Sequence, residues 1–138
     1  MKKLKVGDKA QIVKTFTPEE VISFAILSGD TNPIHTDSNY ASKTYFGQTI
    51  VQGTLVASLF GGLFGSELPG KGTIYLGQEL KFIKPNFVGK AVRVVIELIE
   101  VREEKAICIF TTRCYNEQNE MTIDGKATMM YKGKVFVK

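Results

Sequence analysis

The sequence TIVQGTLVASLFGGLFG, residues 49–65, decides the fold of this chain. It is almost entirely apolar, yet it is shorter than the roughly 20 apolar residues that cross a membrane. Glycines recur at positions 53, 61, 62 and 65, and each lowers helix propensity by about 1 kcal/mol. We predict a helix over residues 53–66 that is buried in a core, where small side chains let a surrounding sheet come close. We expect no membrane insertion.

Four segments rich in branched and aromatic residues follow this helix after Gly72 and predict β-strands. They are TIYLGQELKFI (73–83), AVRVVIELIEV (91–101), KAICIFTTRCY (105–115) and MTIDGKATMMY (121–131). The joins between them are short, and because parallel strands need a long crossover, the strands are predicted to be antiparallel neighbours. Gly77 and Gly125 interrupt two strands and are interpreted as bulges or as places where the sheet bends around the helix.

The N-terminal part of the chain predicts one strand and two shorter helices. Alternating apolar residues indicate a strand over residues 10–16. Residues 17–20, with the sequence TPEE, form a helix start with a threonine cap and a glutamate at the capping-box position. This helix is predicted to end at Gly29, because glycine readily adopts the left-handed conformation that ends helices. A second short helix is predicted over residues 38–43, capped by Asp37.

These elements predict an α+β fold in which a curved antiparallel sheet is wrapped around a long central helix. The chain has 138 residues, which suits one domain, and we predict a single domain over residues 1–138. A single sheet of this kind leaves an open edge. We therefore expect two copies to join their sheets in a homodimer.

Charge and cysteine content narrow the range of partners and compartments. The net charge is +4, but the basic residues are scattered along the chain, which disfavours a nucleic-acid interface and suits a smaller anionic ligand. Cys108 and Cys114 lie an even number of positions apart and are predicted to be buried free thiols on one face of a strand. The N-terminus carries positive charge with no apolar stretch behind it, unlike a secretory signal. We predict a cytoplasmic protein.

The octapeptide SGDTNPIH contains the only histidine of the chain. Asp30 and His35 would point about 140° apart on a continuous helix. Gly29 ends the helix, however, and Pro33 biases Asn32 towards an extended conformation, so the stiff loop can turn both side chains towards one small volume. A carboxylate and an imidazole that share a volume are suited to the handling of one water molecule near neutral pH.

The residues alone leave a second interpretation of this loop open. Asp and Asn after a helix often only satisfy neighbouring backbone groups, and a single histidine beside Ile34 is also typical of a hydrogen-bonded core residue. A metal site at Asp30, His35 and Asp37 is disfavoured, because one histidine without a nearby cysteine is a poor ligand set for zinc. We therefore expect no metal.

The segment FAILSGDTNPIHTDSNYA, residues 24–41, resembles the signature of the MaoC-like, or hydratase 2, branch of the hot-dog fold. The sequence VQGTLVASLFGGLFGSELPGKGTIYLGQELKFIKPNFVGK, residues 51–90, is similar to the central helix and following strands of the small single-domain (R)-specific enoyl-CoA hydratases. The resemblance implies a five-stranded antiparallel sheet around a long helix, with two protomers joining their sheets. It also implies that water adds across the double bond of a trans-2-enoyl thioester to give the (R)-3-hydroxyacyl thioester.

The resemblance further implies roles for the residues of the loop. Asp30 and His35 would hold the water between them, activate it for attack at C3 and supply the proton to C2 on the same face. Gly29, Asn32 and Pro33 would support the loop in this conformation. The acyl-CoA thioester would be the substrate, and no cofactor is expected.

The resemblance assigns the backbone amide of Gly53 to the thioester oxygen, which gains negative charge as C3 is attacked. The position is suitable, because an amide at the start of a helix points outward with the helix dipole behind it, and glycine lets a ligand come close. Packing against the sheet is an alternative reason for a glycine here, and the two are compatible.

Two positions depart from the best-known members of the family. Gly61 stands where these members often carry a serine near the reacting centre, and Gln52 stands where histidine is common.

Two other functions also stay open. Thioester hydrolysis is disfavoured, because related hydrolases place an acidic residue on or facing the long helix and this helix has no acid before Glu67. A non-catalytic acyl-CoA-binding protein would have no need for Asp30 and His35 together.

Overall fold

The helices and strands follow one another in nearly the order predicted from the sequence. The computed structural model describes residues 4–132, so residues 1–3 and 133–138 of the predicted domain lie outside the described residues. The elements are β1 (Lys9–Thr15), α1 (Pro18–Ser28), α2 (Pro33–Thr36), α3 (Ser38–Ser42), α4 (Gly53–Ser66), β2 (Ile74–Phe82), β3 (Ala91–Arg102), β4 (Ile107–Tyr115) and β5 (Met121–Met130). A short 3₁₀ turn, Glu103–Lys105, connects β3 to β4.

The five strands form one antiparallel sheet in the order β1-β3-β4-β5-β2. Strands β3, β4 and β5 are neighbours joined by short connections, as predicted. β1 and β2 form the two edges. Because the chain leaves one edge after β1 and enters the other at β2, the helices between them cross one face of the sheet.

Side chains from this face of the sheet and from one side of α4 form the core. β3 and β4 alternate buried and partly exposed residues, which is the pattern of strands with one covered face. Phe60 and Phe64 of α4 are buried in the cluster, and the Phe64 ring lies 4.8 Å from that of Phe110 in β4, measured between centroids. Burying one such side chain contributes roughly 1.5–3 kcal/mol. The predicted antiparallel sheet around a central helix is confirmed.

Local capping begins and ends α1 where the sequence predicts. The amide of Glu20 donates to Thr17 Oγ1 at 3.2 Å, and the amide of Thr17 donates to Glu20 Oε1 at 3.0 Å, which completes the capping box. Gly29 ends the helix in the left-handed conformation, with φ of 78°. The predicted second helix is α3, and its cap is Asp37, whose Oδ1 accepts from the Tyr40 amide.

The small residues of α4 do not all serve close packing. A Cβ on Gly53 would lie 2.5 Å from the Phe82 ring of β2, so the prediction of close contact with the sheet is confirmed there. The same prediction is wrong for Gly62 and Gly65, where no heavy atom would lie within 4 Å of a Cβ, because both face the exposed side of the helix. Within residues 4–132, no helix is long and apolar enough to cross a membrane.

The two strand glycines also differ from each other. The register of β2 and β5 shifts between Tyr75 and Gly77, so the predicted bulge at Gly77 is confirmed. The bulge interpretation is wrong for Gly125, which pairs in register with Leu80. Its missing side chain instead lets another backbone approach, because a Cβ would lie 2.0 Å from the carbonyl oxygen of Glu79.

Both cysteines are buried and free in β4, as predicted. Burial raises the pKa of the Cys108 thiol to about 11 and that of the Cys114 thiol to about 12. Since the thiolate is the nucleophilic form, both thiols are poor nucleophiles at neutral pH.

Candidate active site

Asp30 lies directly beyond the end of α1, and its carboxylate is held by the local backbone. Its Oδ1 accepts from the Asn32 amide at 3.1 Å, and its own amide donates to Ser28 Oγ at 3.2 Å. The second carboxylate oxygen, Oδ2, points towards His35. The side chain is 43% exposed, so the carboxylate is open to solvent or to a ligand.

His35 is carried by α2, a four-residue helix where the sequence predicts a loop. Asn32 has the predicted extended conformation and caps this helix, because its Oδ1 accepts from the Ile34 amide at 3.2 Å. Pro33 occupies the first helical position, where its missing N–H costs no hydrogen bond. The interpretation as a loop is therefore wrong in detail, but Asn32 and Pro33 do position His35.

One contact of His35 decides which ring nitrogen is available. Its Nδ1 lies 2.8 Å from the carbonyl oxygen of Ile50. A carbonyl oxygen only accepts hydrogen bonds, so in the neutral ring Nδ1 carries the proton and Nε2 presents a lone pair. The His35 side chain is only 11% exposed, and its Nε2 faces Asp30.

The predicted convergence of Asp30 and His35 is confirmed. Asp30 Oδ2 lies 3.5 Å from His35 Nε2, which is longer than the roughly 2.9 Å of a good N–H···O hydrogen bond. In the neutral form of the ring both atoms are acceptors. A molecule with two O–H donors, such as water, can therefore donate to both at once.

The start of α4 presents an unpaired amide to the same region. Gly53 is the first residue of the helix, so its N–H has no carbonyl partner within α4, and no acceptor for it is found in the part of the chain that the structure describes. The positive end of the helix dipole lies at this point. Gly53 also packs under the Phe82 ring, so a packing role for this glycine coexists with an available amide.

Asp30, His35 and Gly53 line one pocket with a volume of about 500 Å³. The other walls come from residues 50–54, from Phe46, and from the end of β2 with the connection that follows it, residues 82–86. Most of these wall residues are apolar, and Lys84 at the side of the pocket is ion-paired with Glu120, with Nζ and Oε2 2.7 Å apart. The described residues contain no group of three or more His, Cys, Asp or Glu side chains that could hold a metal ion.

A protein-family model matches most of the chain. The model described as "MaoC like domain" matches residues 4–121. The chain belongs to the MaoC-like family. The family resemblance of residues 24–41 and 51–90 is thereby confirmed.

Individual MaoC-like proteins are similar to this chain over nearly its whole length. The (R)-specific enoyl-CoA hydratase of Aeromonas caviae is 47% identical over 91% of this chain and 94% of the relative. The solved structure of the (R)-hydratase from A. caviae involved in PHA biosynthesis has a TM-score of 0.92 at 45% identity, covering 95% of this chain and 99% of that chain. R-hydratase PhaJ1 from Pseudomonas aeruginosa, in the unliganded form, has a TM-score of 0.88 at 37% identity, covering 93% of this chain and 82% of that chain. The predicted hot-dog fold is confirmed.

Several pocket residues of this MaoC-like chain were not found by sequence reasoning. Phe46, Phe82 and Asn86 line the pocket, but each stands in a segment whose pattern indicates only a strand end or a connection. Gly61 is not among the residues that line this pocket. A Cβ at that position would lie 3.7 Å from the Tyr75 ring, so the extra room at Gly61 opens towards β2.

Proposed function

We propose that this chain is an (R)-specific enoyl-CoA hydratase. It adds water reversibly across the double bond of a short- or medium-chain trans-2-enoyl-CoA to give the (R)-3-hydroxyacyl-CoA. The observation that carries the proposal is the 3.5 Å separation of Asp30 Oδ2 and His35 Nε2 in a pocket that also contains Gly53. The similarity to the A. caviae hydratase over nearly the whole chain supports the substrate class.

The dyad of Asp30 and His35 activates one water molecule. The water donates one hydrogen to His35 Nε2 and the other to the Asp30 carboxylate, which leaves an oxygen lone pair free to attack C3. As the C3–O bond forms, the dyad takes one proton from the water. The electron pair of the C2–C3 double bond moves towards the thioester carbonyl. The dyad then returns the proton to C2 on the same face, so that one water is consumed and no redox change occurs.

The thioester oxygen gains negative charge during this step, and the amide of Gly53 stabilises that charge. The N–H is unpaired within the described residues, and the dipole of the 14-residue α4 adds partial positive charge behind it. A donor that is already oriented before the reaction needs little reorganisation as charge develops. The reaction requires only the thioester and water, so no cofactor is proposed.

The enzyme is proposed to act as a homodimer in the cytoplasm. β2 is an edge strand, and exposed apolar side chains lie on it and directly after it, including Ile74, Leu76 and Ile83. An exposed, apolar edge strand is a template for pairing with another strand. A second copy that pairs along β2 would continue the sheet, and it would lie next to the pocket because Phe82 and Ile83 also line that pocket.

Two alternatives make different predictions for the same substrate. A thioesterase of this fold needs an acidic residue on or facing the long helix, and α4 contains no Asp or Glu between Gly53 and Ser66. A protein that only binds acyl-CoA would need the pocket but not a carboxylate and an imidazole directed at one point. The Asp30–His35 geometry therefore favours hydration over both.

The test is incubation of the purified chain with crotonyl-CoA, with the absorbance of the conjugated thioester and the free thiol followed together. Hydration removes the conjugation and releases no thiol. Thiol release would identify hydrolysis, and absence of both changes would leave a binding protein. Chiral analysis of the 3-hydroxybutyryl product then checks the (R) configuration.

A further inference from the structure

Gln52, the residue before α4, has a buried side chain that reaches across to α1. It is 2% exposed, and its Nε2 donates to the carbonyl oxygen of Val21 at 3.0 Å. Among the residues that the structure describes, this is the side-chain hydrogen bond that joins α1 to the start of α4. No comparable side-chain bond between these two elements is found in residues 4–132.

The two helices joined by this bond, α1 and α4, each lead to a residue of the site. α1 leads through Gly29 directly to Asp30, and α4 begins with Gly53, whose peptide nitrogen is bonded to the Gln52 carbonyl carbon. The segment before α4 is also tied to His35, because the Ile50 carbonyl accepts from the imidazole. A shift of α1 against α4 would therefore move Asp30 relative to both His35 and the Gly53 amide.

The carbonyl oxygen of the Gln52 carboxamide, Oε1, lowers the stability of the folded chain. Its Oε1 is buried and has no hydrogen-bond donor among the described residues. A buried acceptor without a donor loses its hydration without a replacement. Methionine has nearly the same length and shape and would avoid this penalty, so folding alone does not explain a glutamine at this position.

We propose that Gln52 is a positioning residue that holds Asp30 at its working distance from His35 and from the Gly53 amide. The inference rests on the proposed hydratase function. It predicts that the hydrogen bond from Nε2 matters for turnover more than for folding. Binding of the acyl-CoA is affected less, because Gln52 is one of many residues that line the pocket and is only 2% exposed.

The experiment compares Gln52→Met with Gln52→His in the full chain, using crotonyl-CoA. We expect Q52M to lower kcat about 10-fold, as for other residues that orient a catalytic group, with KM within about 2-fold of the wild type. Its Tm should stay within about 5 °C of the wild type, because removal of the unpaired oxygen offsets the loss of the hydrogen bond to Val21. Q52H retains a ring N–H as a donor and should keep kcat within about 3-fold of the wild type.

Thr122→Val is the matched control. Thr122 is fully buried, its Oγ1 has no partner among the described residues, and it does not line the pocket. The substitution therefore removes a buried unpaired oxygen elsewhere and should leave kcat unchanged.

Wild-type kcat in Q52M would overturn the proposal, and so would an equal loss in a folded Q52H. If Q52M fails to fold, Gln52→Leu, which also lacks a hydrogen-bond donor, takes its place in the comparison with Q52H. A wild-type chain that does not hydrate crotonyl-CoA would instead contradict the proposed function.

Discussion

The sheet core and the pocket at the start of α4 differ in the side chains they contain: the core is apolar, whereas the pocket includes polar groups. In the core, Val94, Ile96 and Phe110 have no exposed surface and contribute only apolar packing. In the pocket, Asp30 is partly exposed, and Gln52 and Asn86 each keep a buried oxygen without a described donor. The core therefore determines whether the chain folds, and the pocket holds polar groups that are unfavourable for folding but useful for chemistry. Substitutions in the two regions should separate stability from activity.

The largest effect is expected from a large-to-small change in the core. Phe60→Ala removes a fully buried ring from α4 and should lower the free energy of unfolding by about 3–5 kcal/mol, because a cavity is left between α4 and the sheet. Urea denaturation of the two proteins measures this difference. A loss below 1 kcal/mol would contradict the view that this cluster carries the stability.

Asp30→Asn and His35→Ala test whether changes in the pocket lower activity without lowering stability. Each should lower kcat on crotonyl-CoA by at least ~100-fold, as expected when an acid or a base is lost. The Tm should stay within about 5 °C of the wild type, because neither side chain belongs to the core cluster. Thermal scans and steady-state kinetics on the same preparations check both parts. Near-normal turnover in a folded His35→Ala protein would exclude the dyad assignment.

Gly53→Ala tests the region where packing and chemistry meet. The new methyl group would collide with the far end of the Phe82 ring, and it would also stand beside the amide proposed for the thioester oxygen. Phe82→Leu removes the collision, so the double variant separates the two effects. We expect kcat/KM to be about 10-fold lower in G53A/F82L than in F82L alone, because the thioester can no longer approach the amide closely. Full recovery in the double variant would leave Gly53 with a packing role only.

The features that the sequence predicts correctly are those with local causes. The capping box at Thr17, the end of α1 at Gly29 and the alternation of β3 and β4 depend on residues within one turn or one strand. The first strand is displaced by one residue, because the Phe16 carbonyl accepts from the Gly89 amide outside the sheet. α2 was missed, since four residues are too few to show a helical period.

The features that the sequence does not reveal depend on distant contacts. The 31-residue separation between Gln52 and Val21 carries no pattern that indicates their hydrogen bond. The wall formed by residues 82–86 reaches the pocket only because β2 is the edge strand beside α4. The dyad itself was found because Asp30 and His35 are close in the chain, and the family resemblance decided between its two interpretations.

The smallest expected effect concerns the two thiols of the core, and it extends the comparison to pH. Burial raises the pKa of Cys108 to about 11 and that of Cys114 to about 12, whereas a thiol in the unfolded chain ionises near 8.5. The folded state therefore keeps protons that the unfolded state loses. The stability linked to the thiols is fully present below the unfolded pKa and is lost as the pH rises towards the folded values. Between pH 8 and pH 9 the free energy of unfolding should fall by ~1–2 kcal/mol more in the wild type than in a Cys108→Ala/Cys114→Ala variant. Urea denaturation at the two pH values measures the difference. Equal pH dependence in both proteins would mean that the thiols ionise as easily in the folded core as in the unfolded chain, which the complete burial of both side chains argues against.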